Sequence, residues 1–142
     1  MKETFNTSWA GDMAFEADIT GHKVLMDANE EVGGKDSGPR PKPLLIAALT
    51  GCTGMDVISI LKKMQVSDLI ESFEIKTETD VTDEHPKTYT KMHLIYEFKS
   101  KGESLPMAKI EKAVKLSQER YCGVSALFEK ALNLSYEIKI LD

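Results

Sequence analysis

Cysteine is scarce in this chain: Cys52 and Cys122 are the only two in 142 residues. Two thiols with no CxxC pairing are too few for a disulfide framework, and they read as buried thiols or as a redox pair. Histidine is nearly as rare. His22, His85 and His93 form no i, i+4 pair on an expected helix, so neither a metal site nor a cofactor is expected. Arginine is confined to Arg40 and Arg120, and a formal net charge of -5 leaves no positive field to draw nucleic acid or an anionic membrane. The N-terminal MKETFNTSWAGDMAFEADI has no apolar segment of the secretory kind, and no uninterrupted run of eighteen apolar residues occurs to span a bilayer. A cytoplasmic protein without membrane contact is expected. Two glycine-bearing motifs also fall short. GGKDSG lacks the spacing that cradles phosphate, and Gly51-Cys52-Thr53-Gly54 spells the GXXG of KH-type RNA-binding modules without the basic surroundings that phosphates need.

What is present is enough for an ordinary core. With 42% hydrophobic and 29% charged residues, the chain fits one soluble domain over residues 1–142, free of repeats and low-complexity tracts. Short alternating runs, TFNTSWA, MAFEADIT and HKVLMD, separated by the turn signals AGD and TGH, predict a three-stranded antiparallel meander. Residues 27–41 are polar, rich in Gly and Pro, and predict a long surface loop. Pro41 and Pro43 then lead into a helix over Leu44–Lys63, apolar around nearly its whole circumference and expected to lie covered in a core. LIESFEIKTETDV and KTYTKMHLIYEFKS predict a hairpin with one solvated face; 106–119 and CGVSALFEKALN predict helices, and LSYEIKIL a closing strand. The order is that of an α+β fold.

Both cysteines fall at informative places. On the Leu44–Lys63 helix, Cys52 shares a face with Leu45, Ala48 and Leu49 on one side and Met55, Asp56 and Ser59 on the other. Apolar burial there would raise its pKa and keep it inert. Gly51 and Gly54 flank it, each costing a helix about 1 kcal/mol relative to alanine, which points to a close approach by another backbone or helix. Cys122 stands just before VSALFEKAL, where a helix start favours thiolate.

The stretches GPRPKPLLIAALTGCTGMDV, QERYCGVSALFEKAL and SYEIKIL together resemble the OsmC and Ohr family of thiol-dependent hydroperoxide reductases, in element order over the whole chain. The resemblance implies an intertwined homodimer, with antiparallel sheets wrapped around central helices. It also implies that Cys52 attacks a hydroperoxide to give a sulfenic acid, that Cys122 condenses with it to a disulfide, and that an external dithiol, lipoyl-type in several members, restores both.

The chain departs from the family in its charged residues. Peroxidatic members carry a glutamate ten positions before the first cysteine and an arginine from the N-terminal part; here Lys42 occupies the first position and no arginine lies among the first strands. Arg40 or Lys42 is the expected substitute charge, oriented by Glu30 or Glu31. The leading expectation is a thiol peroxidase. The alternative is a non-catalytic dimer of the same fold that binds a small apolar ligand between subunits.

Overall fold

A computed structural model describes residues 1–141. They divide into two compact units, one ending at Ala47 and the other starting at Ala48.

In the first unit, β1 (Asn6–Trp9), β2 (Phe15–Ile19) and β3 (His22–Met26) form the expected antiparallel meander in the order β1-β2-β3. Ile19 pairs with His22, leaving a two-residue turn at Thr20 and Gly21, both with positive φ. That is the mirror-image turn whose twist matches a hairpin. Large apolar side chains on this unit stay uncovered within the chain, Trp9 at 68% and Phe5 at 58% exposure.

The loop after β3 is more ordered than its composition suggests. The buried carboxylate of Asp27 accepts the backbone N–H groups of Ala28 (2.8 Å), Lys35 (3.1 Å) and Ser37 (3.2 Å), and the Ser37 hydroxyl at 2.6 Å. These donors, the Ser37 hydroxyl foremost, hold its pKa far below the ordinary aspartate range. The loop's turns bring backbone against backbone at two glycines. A Cβ on Gly34 would sit 2.0 Å from the Ala28 carbonyl oxygen, and one on Gly38 2.4 Å from that of Leu25.

Helix α1 (Leu44–Lys63) has the bounds the sequence predicts. It ends where Gln65 turns left-handed and the Val66 N–H reaches back to the Leu61 carbonyl at 2.9 Å. Its environment differs from the expected one. Only Leu49, Thr53, Val57 and Leu61, a single i, i+4 stripe, are buried. Met55 is 76% exposed, and a Cβ on Gly51 would meet nothing within 4 Å. Full burial of this helix therefore needs atoms that the described residues do not supply. By length and composition α1 could cross a membrane, although its buried stripe carries Thr53 into a polar network.

In the second unit, β4 (Ile70–Val81), β5 (Tyr89–Ser100) and β6 (Asn133–Leu141) form a sheet in that order, β4 and β5 antiparallel, β5 and β6 parallel. The central strand carries the core: Met92, Leu94, Tyr96 and Phe98 are wholly buried on one face. Phe73 stacks on Phe98 with centroids 4.3 Å apart. The opposite face is less solvated than the alternation predicts, because Ile95 and Glu97 are also buried, Glu97 paired with Lys76 at 3.1 Å. On that face His93 bridges β5 to β6 through Ser135 (2.7 Å) and Glu137 (2.9 Å). Helix α2 (Met107–Leu116) buries Ile110, Ala113 and Val114, then widens into one π-helical turn over Ser117–Tyr121 before α3 (Gly123–Glu129).

Candidate functional site

The π turn sets the site geometry. Inserting one extra residue lets two consecutive side chains, Ser117 and Gln118, both face the interior, and closes on Cys122, whose N–H bonds the Ser117 carbonyl at 2.8 Å. Cys122 is thereby delivered to the start of α3, where its sulfur accepts the Ser125 N–H at 3.3 Å. Helix α1 brings the other half. Cys52 and Asp56 stand one turn apart on it, and the two sulfurs and an Asp56 carboxylate oxygen all lie within 4.8 Å of one another. The thiols that are seventy positions apart in sequence are thus neighbours, Cys122 buried and Cys52 half-buried.

A buried hydroxyl chain runs into this cluster. Ser117 Oγ donates to Asp56 Oδ2 at 3.0 Å, Thr53 Oγ1 lies 2.7 Å from both Ser117 Oγ and Tyr96 Oη, and Gln118 Nε2 donates to Tyr96 Oη at 2.6 Å. The ends fix the direction. A carboxylate only accepts and an amide NH2 only donates. Ser117 uses its one proton on Asp56, so Thr53 donates to Ser117 and Tyr96 donates to Thr53. Burial pushes the Tyr96 phenol up to about 12, which keeps it a donor. The chain orients the carboxylate beside the thiols.

The electrostatics at Cys52 follow its burial on the helix face and run opposite to the activation that the resemblance to a peroxidatic thiol implies. Burial first, then the hydrogen bond shared with Cys122, raise its pKa; the Val124 N–H opposes them, and the Asp56 charge adds to the rise. Arg40, expected to bring positive charge, donates to Asp36 Oδ1 at 2.6 Å and to the carbonyls of Gly38 and Asp27 within its own loop. Lys42 is half-buried just ahead of α1, and Glu30 and Glu31 are exposed in a 3-10 turn. Arg120, the other arginine, lies over the Tyr121 ring.

Asp56, Thr53, Tyr96, Ser117 and Gln118 escaped identification as site residues from sequence. The available signal was the i, i+4 spacing of Cys52 and Asp56, the one carboxylate on the helix. Asp56 also borders a cavity of about 530 Å3 whose walls include Ile60, Met64, Leu116 and Tyr121.

A family model for OsmC-like proteins matches residues 34–137. Protein YhfA of Escherichia coli K12 is 32% identical over 134 residues, 94% of either chain. Among solved structures, a hypothetical protein from Aquifex aeolicus superposes with TM-score 0.79 at 25% identity, covering 100% of this chain and 99% of that one. An organic hydroperoxide resistance protein from Legionella pneumophila shares the fold with TM-score 0.62 at 16% identity, over 96% and 97% of the two chains.

Proposed function

The chain belongs to the OsmC-like family, and on that premise we propose that residues 1–142 form a single domain of a cytoplasmic, homodimeric thiol peroxidase acting on organic hydroperoxides. The observation that carries this reading is the placement of Cys52 and Cys122 sulfurs within 4.8 Å. The hydroperoxide function in the name of the Legionella relative points the same way. An uncovered α1 face and the exposed apolar residues of the meander, Trp9 and Phe5 among them, are surfaces that a second copy would bury.

In the first step the Cys52 sulfur attacks the outer peroxide oxygen. An S–O bond forms, the O–O bond breaks, and the thiol proton ends on the departing alkoxide, giving a sulfenic acid and an alcohol. Asp56, held by Ser117 beside the thiol, accepts that proton and passes it on. In the second step the Cys122 sulfur attacks the sulfenic acid; the S–S bond forms, the S–O bond breaks and water leaves. An external dithiol of the lipoyl type then reduces the disulfide and is itself oxidised.

The test is consumption of cumene hydroperoxide in the presence of reduced lipoamide. Wild type turns over, Cys52→Ser does not, and Cys122→Ser turns over more slowly, because its sulfenic acid must react with the dithiol directly. Equal turnover by the Cys52→Ser variant, or no turnover by wild type, would refute the assignment.

A further inference from the structure

The Cys52, Asp56 and Cys122 cluster has the composition of a metal site as well as of a redox pair. Two soft sulfurs and one carboxylate oxygen converge within 4.8 Å from α1 and the start of α3. With metal–sulfur bonds of about 2.3 Å and metal–oxygen bonds of about 2.0–2.2 Å, neighbouring tetrahedral ligands stand roughly 3.3–3.8 Å apart, so small side-chain rotations bring these three atoms onto one ion.

Each ligand atom also has a supporting donor. The Val124 N–H bonds Cys52, the Ser125 N–H bonds the Cys122 sulfur at 3.3 Å, and Ser117 Oγ bonds one carboxylate oxygen of Asp56 at 3.0 Å, leaving the other available. N–H donors to thiolates and a second hydrogen bond on the carboxylate are the outer-shell supports that fix metal ligands. Asp56 lies on the wall of the 530 Å3 cavity, beside Ser59, Lys63 and Lys112, so the cluster is approached from that side through its carboxylate. On the same turn the Ser125 hydroxyl is wholly buried and has no hydrogen-bond partner among the described residues.

We infer that the reduced protein binds one thiophilic divalent cation of the zinc class through Cys52, Cys122 and Asp56. The two thiols give up their protons to solvent, and the ion gains two thiolate bonds and one carboxylate bond, leaving one position for water. The soft donor pair selects zinc, cadmium or cobalt over magnesium and calcium. Coordination draws electron density from the Cys52 and Cys122 sulfurs and lowers their nucleophilicity, so a bound ion slows their oxidation.

Reduced full-length protein titrated calorimetrically with zinc chloride tests this. One ion per chain is expected, and cobalt chloride gives the absorption bands of a tetrahedral thiolate complex. Cys52→Ser or Cys122→Ser weakens binding by about 100-fold or more, and Asp56→Asn by about 10–100-fold. Protein oxidised to the Cys52–Cys122 disulfide needs no substitution and is expected not to bind. Unchanged zinc affinity in that form or in either serine variant, or less than one ion per chain in the reduced form, overturns the inference. It rests on the same sulfur geometry as the peroxidase reading but not on turnover. Zinc binding without peroxide consumption refutes the peroxidase alone, and peroxide consumption without zinc binding refutes the metal site alone.

Discussion

Replacing Thr53 with valine cuts the buried hydroxyl chain at its midpoint while keeping the side chain's shape. Thr53 is wholly buried, and its Oγ1 is 2.7 Å from both Tyr96 Oη and Ser117 Oγ. In the variant the Tyr96 proton loses its acceptor. Its other neighbour, Gln118 Nε2 at 2.6 Å, is itself a donor. Ser117 loses a donor but keeps Asp56 as acceptor, and Gln118 Nε2, which also donates to Thr53 Oγ1 at 3.4 Å, keeps Tyr96 Oη. One orphaned buried donor costs about 1–3 kcal/mol, and the partly compensated Ser117 adds little, so a loss of about 2 kcal/mol is expected. Thr53→Ser keeps the hydroxyl and removes one buried methyl, a loss of about 1 kcal/mol. The assay is urea unfolding followed by circular dichroism at one fixed protein concentration. The order is diagnostic, because packing alone makes valine the milder change. A valine variant as stable as the serine variant, or more so, refutes the chain as the element that organises this site.

Three further outcomes follow from particular residues. Because Cys52 is raised, its alkylation by iodoacetamide is expected to climb about tenfold per pH unit from neutral through pH 8, with no plateau there; Asp56→Asn removes a like charge and speeds alkylation at pH 8 but slows oxidation by hydroperoxide, and a parallel change in both rates would remove Asp56 as proton acceptor. Asp27 has a depressed folded pKa, so its contribution is present above the unfolded value of about 3.9 and is lost as pH falls through the folded one; the stability gap between wild type and Asp27→Asn therefore narrows as pH drops from about 5 toward 2, and a gap that widens on acidification contradicts the loop's anchoring. Gly51→Leu meets open space within the chain, so it leaves the fold intact but drives a homodimer toward monomer in sedimentation equilibrium; an unaltered dimer would place the interface elsewhere.

Periodicity made the elements legible. The Leu44–Lys63 helix and the β4–β5 hairpin stand where the apolar spacing puts them, since helix and strand periods are local properties. The π turn was not legible, because 106–119 carries ordinary helical spacing and nothing in it announces the one inserted residue that turns both Ser117 and Gln118 inward. The covering of α1 is legible only in part: an all-round apolar helix announces that its faces become covered, not by which chain. At the site, the thiol pair was suspected from positions 52 and 122, but Asp56 and its hydroxyl chain depend on contacts between residues more than twenty positions apart, such as Thr53 with Tyr96 and Gln118 with Tyr96. Arg40 shows the converse. Its charge was visible in sequence, while its engagement by Asp36 and two loop carbonyls was not.

The central claim is that Cys52 and Cys122 act together on a peroxide, and non-reducing peptide mass spectrometry addresses it most directly. Reduced protein is treated with one equivalent of cumene hydroperoxide, quenched with an alkylating agent and digested. The account predicts a single linked pair of peptides joining Cys52 to Cys122 within one chain, and accumulation of the Cys52 sulfenic acid in Cys122→Ser. Recovery of both cysteines as alkylated thiols, or of Cys52 joined only to external thiol, would contradict it.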